Sequence, residues 1–301
     1  MEFVEPEVPD AQRGEGVLPL RYEDITQDGK LRLEPITHAG GAALWRGALA
    51  RHPMRGAMER EAILPILSRL HARSLQHPIA VETRITCRGA FELVRAQDDA
   101  ARTRIRLDMA VRMLGVIGRT HGGAGPRAGE PIEVGQLWAE HVLTRPFAPA
   151  DERAVDRLPE GVSAALRDAA WTAPQSICRA PESARDLDEW TLDPTPLVMG
   201  LGHTDSNQHV NSLVYPRQVE EAALRRFASR GWGTALFAQE GDFAFRKPSF
   251  AGETLRVALR SYREGEDYGV VAALASEAEA DAIAEGASPR ARVFARLRFT
   301  A

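Results

Sequence analysis

Apolar and polar residues alternate along most of this chain, and the exceptions are few enough to name. Residues 102–114 set Ile105, Leu107, Met109, Val111 and Met113 against Arg106, Asp108 and Arg112. A period of two lays the two sets on opposite faces, so the stretch predicts a half-buried strand. Residues 29–37 alternate Leu31 and Leu33 with Arg32 and Glu34, and residues 79–89 put Val81, Thr83 and Ile85 on one face. An apolar run at 134–142 completes the strands expected in the first half. Between 41 and 74 the period lengthens. Met54, Met58, Ile63, Ile66, Leu67 and Leu70 recur at helical spacing and predict an apolar helix stripe, broken or kinked at Pro53 and Pro65.

The second half follows the same order. A strand is expected near 196–201, then a polar loop, then a helix to about Arg230 that Gly231 closes. Early Glu220 and Glu221 and late Arg225 and Arg226 suit the dipole of that helix. Strands are expected at 242–246, 254–262, 268–276 and 291–299, with a hairpin turn at 264–267. Residues 277–290 read as an exposed loop with a single helical turn. The glycine-rich 122–130 reads as a loop between strands, and the polar, proline-bearing 146–165 divides the chain, with a short helix expected at 151–171.

Strand, helix, then several antiparallel strands, twice over, predicts an α+β protein in which each half wraps a sheet around one central helix. The expected organisation is a disordered tail at 1–16, an N-terminal unit at 17–145, a linker at 146–190 and a C-terminal unit at 191–301. Composition narrows the setting. No apolar run is long enough to span a bilayer, and the acidic N-terminus lacks the basic and apolar regions of a signal peptide. Two distant cysteines, Cys87 and Cys178, predict neither a disulfide framework nor a zinc site, which suits a reducing cytoplasm. A net charge of −4 argues against nucleic-acid binding. No metal or bound cofactor is expected.

Candidate chemistry concentrates in one loop, "GHTDSNQHVNSLVYPRQVEEA". Asp205, Asn207 and His209 stand at alternate positions ahead of the expected helix, where free backbone N–H groups favour negative charge. If the segment is extended, all three point to one side. A carboxylate there can act as base or nucleophile, an Asn amide can donate to a developing oxyanion, and a His can orient or relay a proton. The same residue types also make Asx turns and helix caps, Asn211 being one candidate cap, and spacing leaves the two readings level.

The loop resembles the signature of hotdog-fold thioesterases, acyl-ACP thioesterases in particular. The matching residues are Asp205, Asn207, His209, Val210, Asn211 and Tyr215, within about 25 residues. The resemblance implies two tandem hotdog units, each an antiparallel sheet around a central helix, and hydrolysis of an acyl thioester on acyl carrier protein or coenzyme A. Asp205, Asn207 and His209 would be catalytic, and Asn211 and Tyr215 would contact substrate. The first unit would be a degenerate partner, with Ile63, Ile66, Leu67 and Leu70 lining an acyl pocket and residues 37–47, with His38, replacing the catalytic loop. Plant-type members carry a further Glu and Cys where Pro248 and Ser249 stand here, and Glu240 or Asp242 are the nearby carboxylates able to compensate. Rival readings are an acyltransferase or dehydratase on the same fold, or a non-catalytic acyl-binding scaffold. A monomer or homodimer is expected, without nucleic-acid or membrane partners.

Overall fold

Two stretches of antiparallel sheet carry nearly all the regular structure in the computed structural model, which describes residues 3–121, 123, 125–162, 164–233 and 235–300. Met1 and Glu2 of the expected tail, and Gly122 and Ala124 of the glycine-rich loop, lie outside the described residues. The chain divides into two compact units, Met1–Ala173 and Pro174–Ala301. Among the described residues no helix is long and apolar enough to cross a membrane.

In the first unit the long strands are β1 (Arg13–Pro19), β2 (Leu64–Ser74), β3 (Arg84–Gln97), β4 (Thr103–Val116) and β5 (Pro131–Thr144). They pair antiparallel in the order β1-β3-β4-β5-β2. The alternation read at 102–114 is β4, although Arg106 and Asp108 on its polar face are buried too. They pair at 2.7 Å, and Arg106 also lies 3.1 Å from Glu140. A short strand β6 (Leu166–Asp168) runs parallel to β3. Helices α1 (Leu33–Thr37), α2 (Leu49–Arg51) and α3 (Pro53–Arg60) are short, and a π-helical segment, Gly41–Ala48, leads into α2. The π segment packs on β1, whose Gly14 and Gly16 make room for it. A Cβ at either position would fall 2.2 and 2.1 Å from the Ala43 and Ala42 carbonyl oxygens.

The second unit repeats the strand order. Short strands β7 (Arg185–Asp186), β8 (Thr191–Leu192) and β9 (Leu197–Val198) pair on β11 (Thr254–Glu264). β12 (Asp267–Ala275), β13 (Val293–Thr300) and β10 (Phe237–Phe245) follow across the sheet. The expected hairpin turn joins β11 to β12 with Gly265 at φ 60°. Helix α4 (Tyr215–Ser229) buries Val219, Ala222, Ala223 and Phe227, and Phe227 meets Phe299 edge to face at 5.0 Å. As read, Gly231 (φ 71°) ends this helix, and the Trp232 N–H reaches back to the Phe227 carbonyl. Its last turns are tied down by Arg225 on Asp193 and Arg226 on Asp188, both carboxylates buried.

Several expectations give way. Residues 64–74 form β2, so Ile66, Leu67 and Leu70 lie on a strand, Ile63 just precedes it, and the four share no helix face. An unbroken apolar run, with a bulge between Leu67 and Arg69, fits both periods equally well, and cross-strand hydrogen bonding to β5 decides. Residues 33–37 coil into α1, and strand pairing there shrinks to two isolated bridges, Leu31 with Ile25 and Lys30 with Pro78. Among the described residues of 151–171 no helix forms; Pro159 and Gly161 interrupt the chain and β6 pairs instead. Residues 277–290 hold the two-turn helix α5 (Glu277–Ala284), capped by Ser276 and Glu279. The N-terminal tail stops short of the expected boundary, because Arg13 to Gly16 already pair with β3.

Candidate active site

The loop ahead of α4 is a closed hairpin. Thr204 and Val210 form an antiparallel bridge, the Asp205 N–H donates to the His209 carbonyl at 3.1 Å, and the Gln208 N–H donates back to the Asp205 carbonyl at 3.0 Å. Gln208 takes a left-handed φ of 65° at the tip. Asp205, Asn207 and His209 are therefore not strung along an extended segment, as the sequence suggested. The backbones of Asp205 and His209 pair across the hairpin mouth, and Asn207 stands exposed at the turn. The Val210 N–H, at the hairpin base, donates to the Ser249 carbonyl at 2.7 Å and moors the loop to the segment entering β11.

Asp205 Oδ1 accepts the Asn207 N–H at 2.8 Å, an Asx turn. Oδ2 has no hydrogen-bond donor among the described residues and is half-exposed with the rest of the side chain. One oxygen thus fixes the carboxylate while the other stays open. No hydrogen bond joins the side chains of Asp205, Asn207 and His209 to one another among the described residues. Asn211 is the cap the alternative reading proposed, since its Oδ1 accepts the Leu213 N–H at 2.9 Å and starts the 3-10 turn before α4.

Tyr215 opens α4 and is only 3% exposed, its ring 6.1 Å from that of Phe245. Neither its hydroxyl nor the buried hydroxyl of Ser249 makes a well-formed hydrogen bond among the described residues, although the two lie close together. Burial raises the Tyr215 pKa, only partly offset by the nearby Ser249. Ser249, which the sequence marked only as a departure, is fully buried beneath the hairpin.

The two carboxylates offered as substitutes for the missing Glu are committed elsewhere. Glu240 pairs with Arg298 at 3.0 Å and Asp242 with Arg296 at 3.4 Å, directly across the β10–β13 ladder. In β13 these arginines alternate with Phe299, which faces α4, so both pairs lie on the sheet face away from that helix. The carboxylate closer to the loop is Glu253, which sequence reasoning passed over. It accepts the Phe250 N–H at 3.0 Å and an Arg292 N–H at 3.1 Å, and Arg292 also donates to the Pro248 carbonyl. A charged pair thus props up the segment that moors the hairpin.

The pocket residues assigned to the first unit fall into two groups. Ile63 and Leu70 are buried, whereas Ile66 is 45% exposed and Leu67 lies between. Cys87 and Cys178 are both buried, and burial pushes each thiol up to about 12, so neither is a ready nucleophile.

No protein-family model matches the sequence, and no curated protein matches it. Solved structures do. A protein described as an oleoyl thioesterase from Lactobacillus plantarum superposes with a TM-score of 0.58 at 10% identity, over 96% of both chains. An acyl-ACP thioesterase from Bacteroides thetaiotaomicron gives 0.54 at 13% identity, over 96% of this chain and 98% of that one. The 12:0-ACP thioesterase from Umbellularia californica gives 0.53 at 12% identity, over 98% and 99%. Along nearly its whole length, the chain has the large antiparallel sheet and few helices of these hotdog-fold thioesterases.

Proposed function

We propose that the chain is a thioester hydrolase that releases a fatty or related acyl group from acyl carrier protein or coenzyme A. The units would be tandem hotdogs, the first at 17–145 and the second at 191–301, joined by 146–190, with chemistry in the second. The observation that carries this reading is the Asp205 carboxylate, anchored through Oδ1 and open at Oδ2, in a hairpin moored ahead of α4. In this reading Oδ2 takes a proton from water or attacks the thioester carbonyl. Asn207 at the exposed tip supplies a side-chain amide to the carbonyl oxygen as charge builds there, and His209 across the mouth orients water or passes a proton. The pantetheine arm comes with the substrate, and no resident cofactor is needed.

The test is a panel of acyl-CoA and acyl-ACP substrates with release of free thiol as readout. Asp205→Asn should lower kcat by about 10²-fold or more, because an amide can neither take a proton nor attack. The Asx-turn hydrogen bond survives the change, since the Asn side-chain oxygen also accepts. Unchanged turnover in the folded variant would remove Asp205 from the chemistry and leave the loop as a structural turn.

A further inference from the structure

The first unit contains a second copy of the hairpin, where sequence comparison had pointed to residues 37–47. Ile25 and Leu31 form the bridge that Thr204 and Val210 form in the second unit. The Thr26 N–H donates to the Lys30 carbonyl at 2.7 Å, as Asp205 does to His209, and the Gly29 N–H donates to the Thr26 carbonyl at 3.0 Å, as Gln208 does to Asp205. Gly29 has a φ of 88° where Gln208 has 65°. The Arg32 N–H bonds the Asp24 carbonyl at 2.9 Å, matching Asn211 and His203. Each hairpin follows a 3-10 turn, Tyr22–Asp24 or Leu201–His203, whose third side chain accepts the N–H just before that turn. Thr26, Asp28 and Lys30 thus occupy the positions of Asp205, Asn207 and His209.

These substitutions close the hydrolytic route. The Asp28 carboxylate is engaged at both oxygens, by the Thr26 hydroxyl and by Lys30 Nζ at 2.7 Å. Partial burial works against the ionised form, yet the bonds from Lys30 and Thr26 hold its pKa below the usual carboxylate range. No open base remains on this loop. A half-open cavity lies against it. The Ile79 N–H bonds the Gly29 carbonyl, the Gly118 N–H bonds the Pro78 carbonyl, and the Val81 N–H bonds Thr120 Oγ1. These bonds lock the hairpin, residues 78–81 and residues 117–121 into one frame around a cavity of about 430 Å³. Tyr22, Ile25 and Val81 supply apolar surface, and Gln27, Arg119 and His121 supply donors. The Thr120 oxygen already accepts a hydrogen bond, so its proton is available to a guest. Arg119 pairs with no acidic side chain among the described residues, and the one carboxylate in the lining, Asp28, is already neutralised by Lys30.

We propose that this cavity binds a small phosphomonoester with an aromatic or apolar body, the chemistry of a nucleoside monophosphate. Arg119, Thr120 and His121 take the phosphate, since an unpaired guanidinium beside further donors suits a compact anion. The ring of Tyr22 and the side chains of Ile25 and Val81 take the body. The proposal does not depend on hydrolysis at Asp205.

Calorimetric titration of the full chain with adenosine 5′-monophosphate, inorganic phosphate and adenosine tests it. The monophosphate should bind about tenfold or more tightly than either fragment, because only it fills both parts of the site. Arg119→Gln and His121→Gln, both exposed, should each weaken it by about fivefold or more, while Asp205→Asn leaves it unchanged. Adenosine binding as tightly as its monophosphate would overturn phosphate recognition. Phosphate binding as tightly as the monophosphate would remove the site for the organic body, and an unaltered affinity in Arg119→Gln would place the ligand elsewhere.

Discussion

His141 lies buried in β5 with its ring edge-on to Trp45 at 5.2 Å, and its Nδ1 has no hydrogen-bond partner among the described residues. Burial pushes its pKa from 6.5 down to about 4, against a hydrogen bond to the Leu107 backbone that favours the charged ring. The sign for stability follows directly. Between pH 6.5 and pH 4 the unfolded chain takes up a proton that the folded chain refuses, so stability is full above that window and falls as pH falls through it. The shift corresponds to roughly 3 kcal/mol. Urea unfolding of the wild type at pH 7 and pH 4.5, beside His141→Gln, checks the assignment. The variant should lose less stability over the window than the wild type, and equal losses would move the effect to another group. At this scale the sequence revealed the hairpin residues, because Asp, Asn and His at alternate positions are conspicuous. It did not reveal Ser249, Glu253 or His141, whose roles arise from burial and from partners distant along the chain.

Among the elements, β1 and the π-helical segment depend on each other most closely. The carbonyls of Ala42 and Ala43 stand where a side chain on Gly16 or Gly14 would begin. Gly16→Ala would force backbone against backbone, which no rotamer change relieves. A loss of about 1–3 kcal/mol or more is expected from such overpacking. Thermal unfolding of Gly16→Ala beside Gly41→Ala checks it, since a Cβ at Gly41 meets nothing within 4 Å and should cost little. The strands of clean alternation, β4 above all, were legible in the sequence, as were α4 and its glycine stop. The helical reading of 64–74 failed because Leu64 to Leu67 is continuously apolar and satisfies either period. The alternation at 29–37 misled because four residues of it cannot outweigh the turn that α1 makes. The hairpin at 25–31 was marked in the sequence only by the Asp28-Gly29 pair, because most of its bonds are main-chain and the Thr26 bonds to Asp28 and Lys30 form only once it closes.

For the molecule as a whole, the open matter is where the acyl chain goes. Under the proposed hydrolase the first unit sets chain-length preference. The strand geometry changes which residues can do so. Leu70 is 2% exposed and belongs to closed core, whereas Ile66 has room to be enlarged. Ile66→Trp should shorten the preferred acyl chain as a graded shift, because a pocket discriminates by only about 1–3 kcal/mol per methylene. Chain-length profiles of that variant and the wild type are the measurement, with thermal unfolding as the control for a damaged core. If the profile stays put for Ile66→Trp but moves with changes at Val214 or Val219, the acyl pocket belongs to the second unit.

The two hairpins also bear on how such a chain diversifies. Their shared shape is written in backbone N–H and carbonyl groups and in one left-handed residue, and the side chains of Thr26 and Asp205 each add a local bond of their own kind to it. A frame of that kind tolerates heritable change at the positions that face a ligand while the fold stays the same. One copy can drift toward recognition and the other can keep an open carboxylate, each on its own schedule.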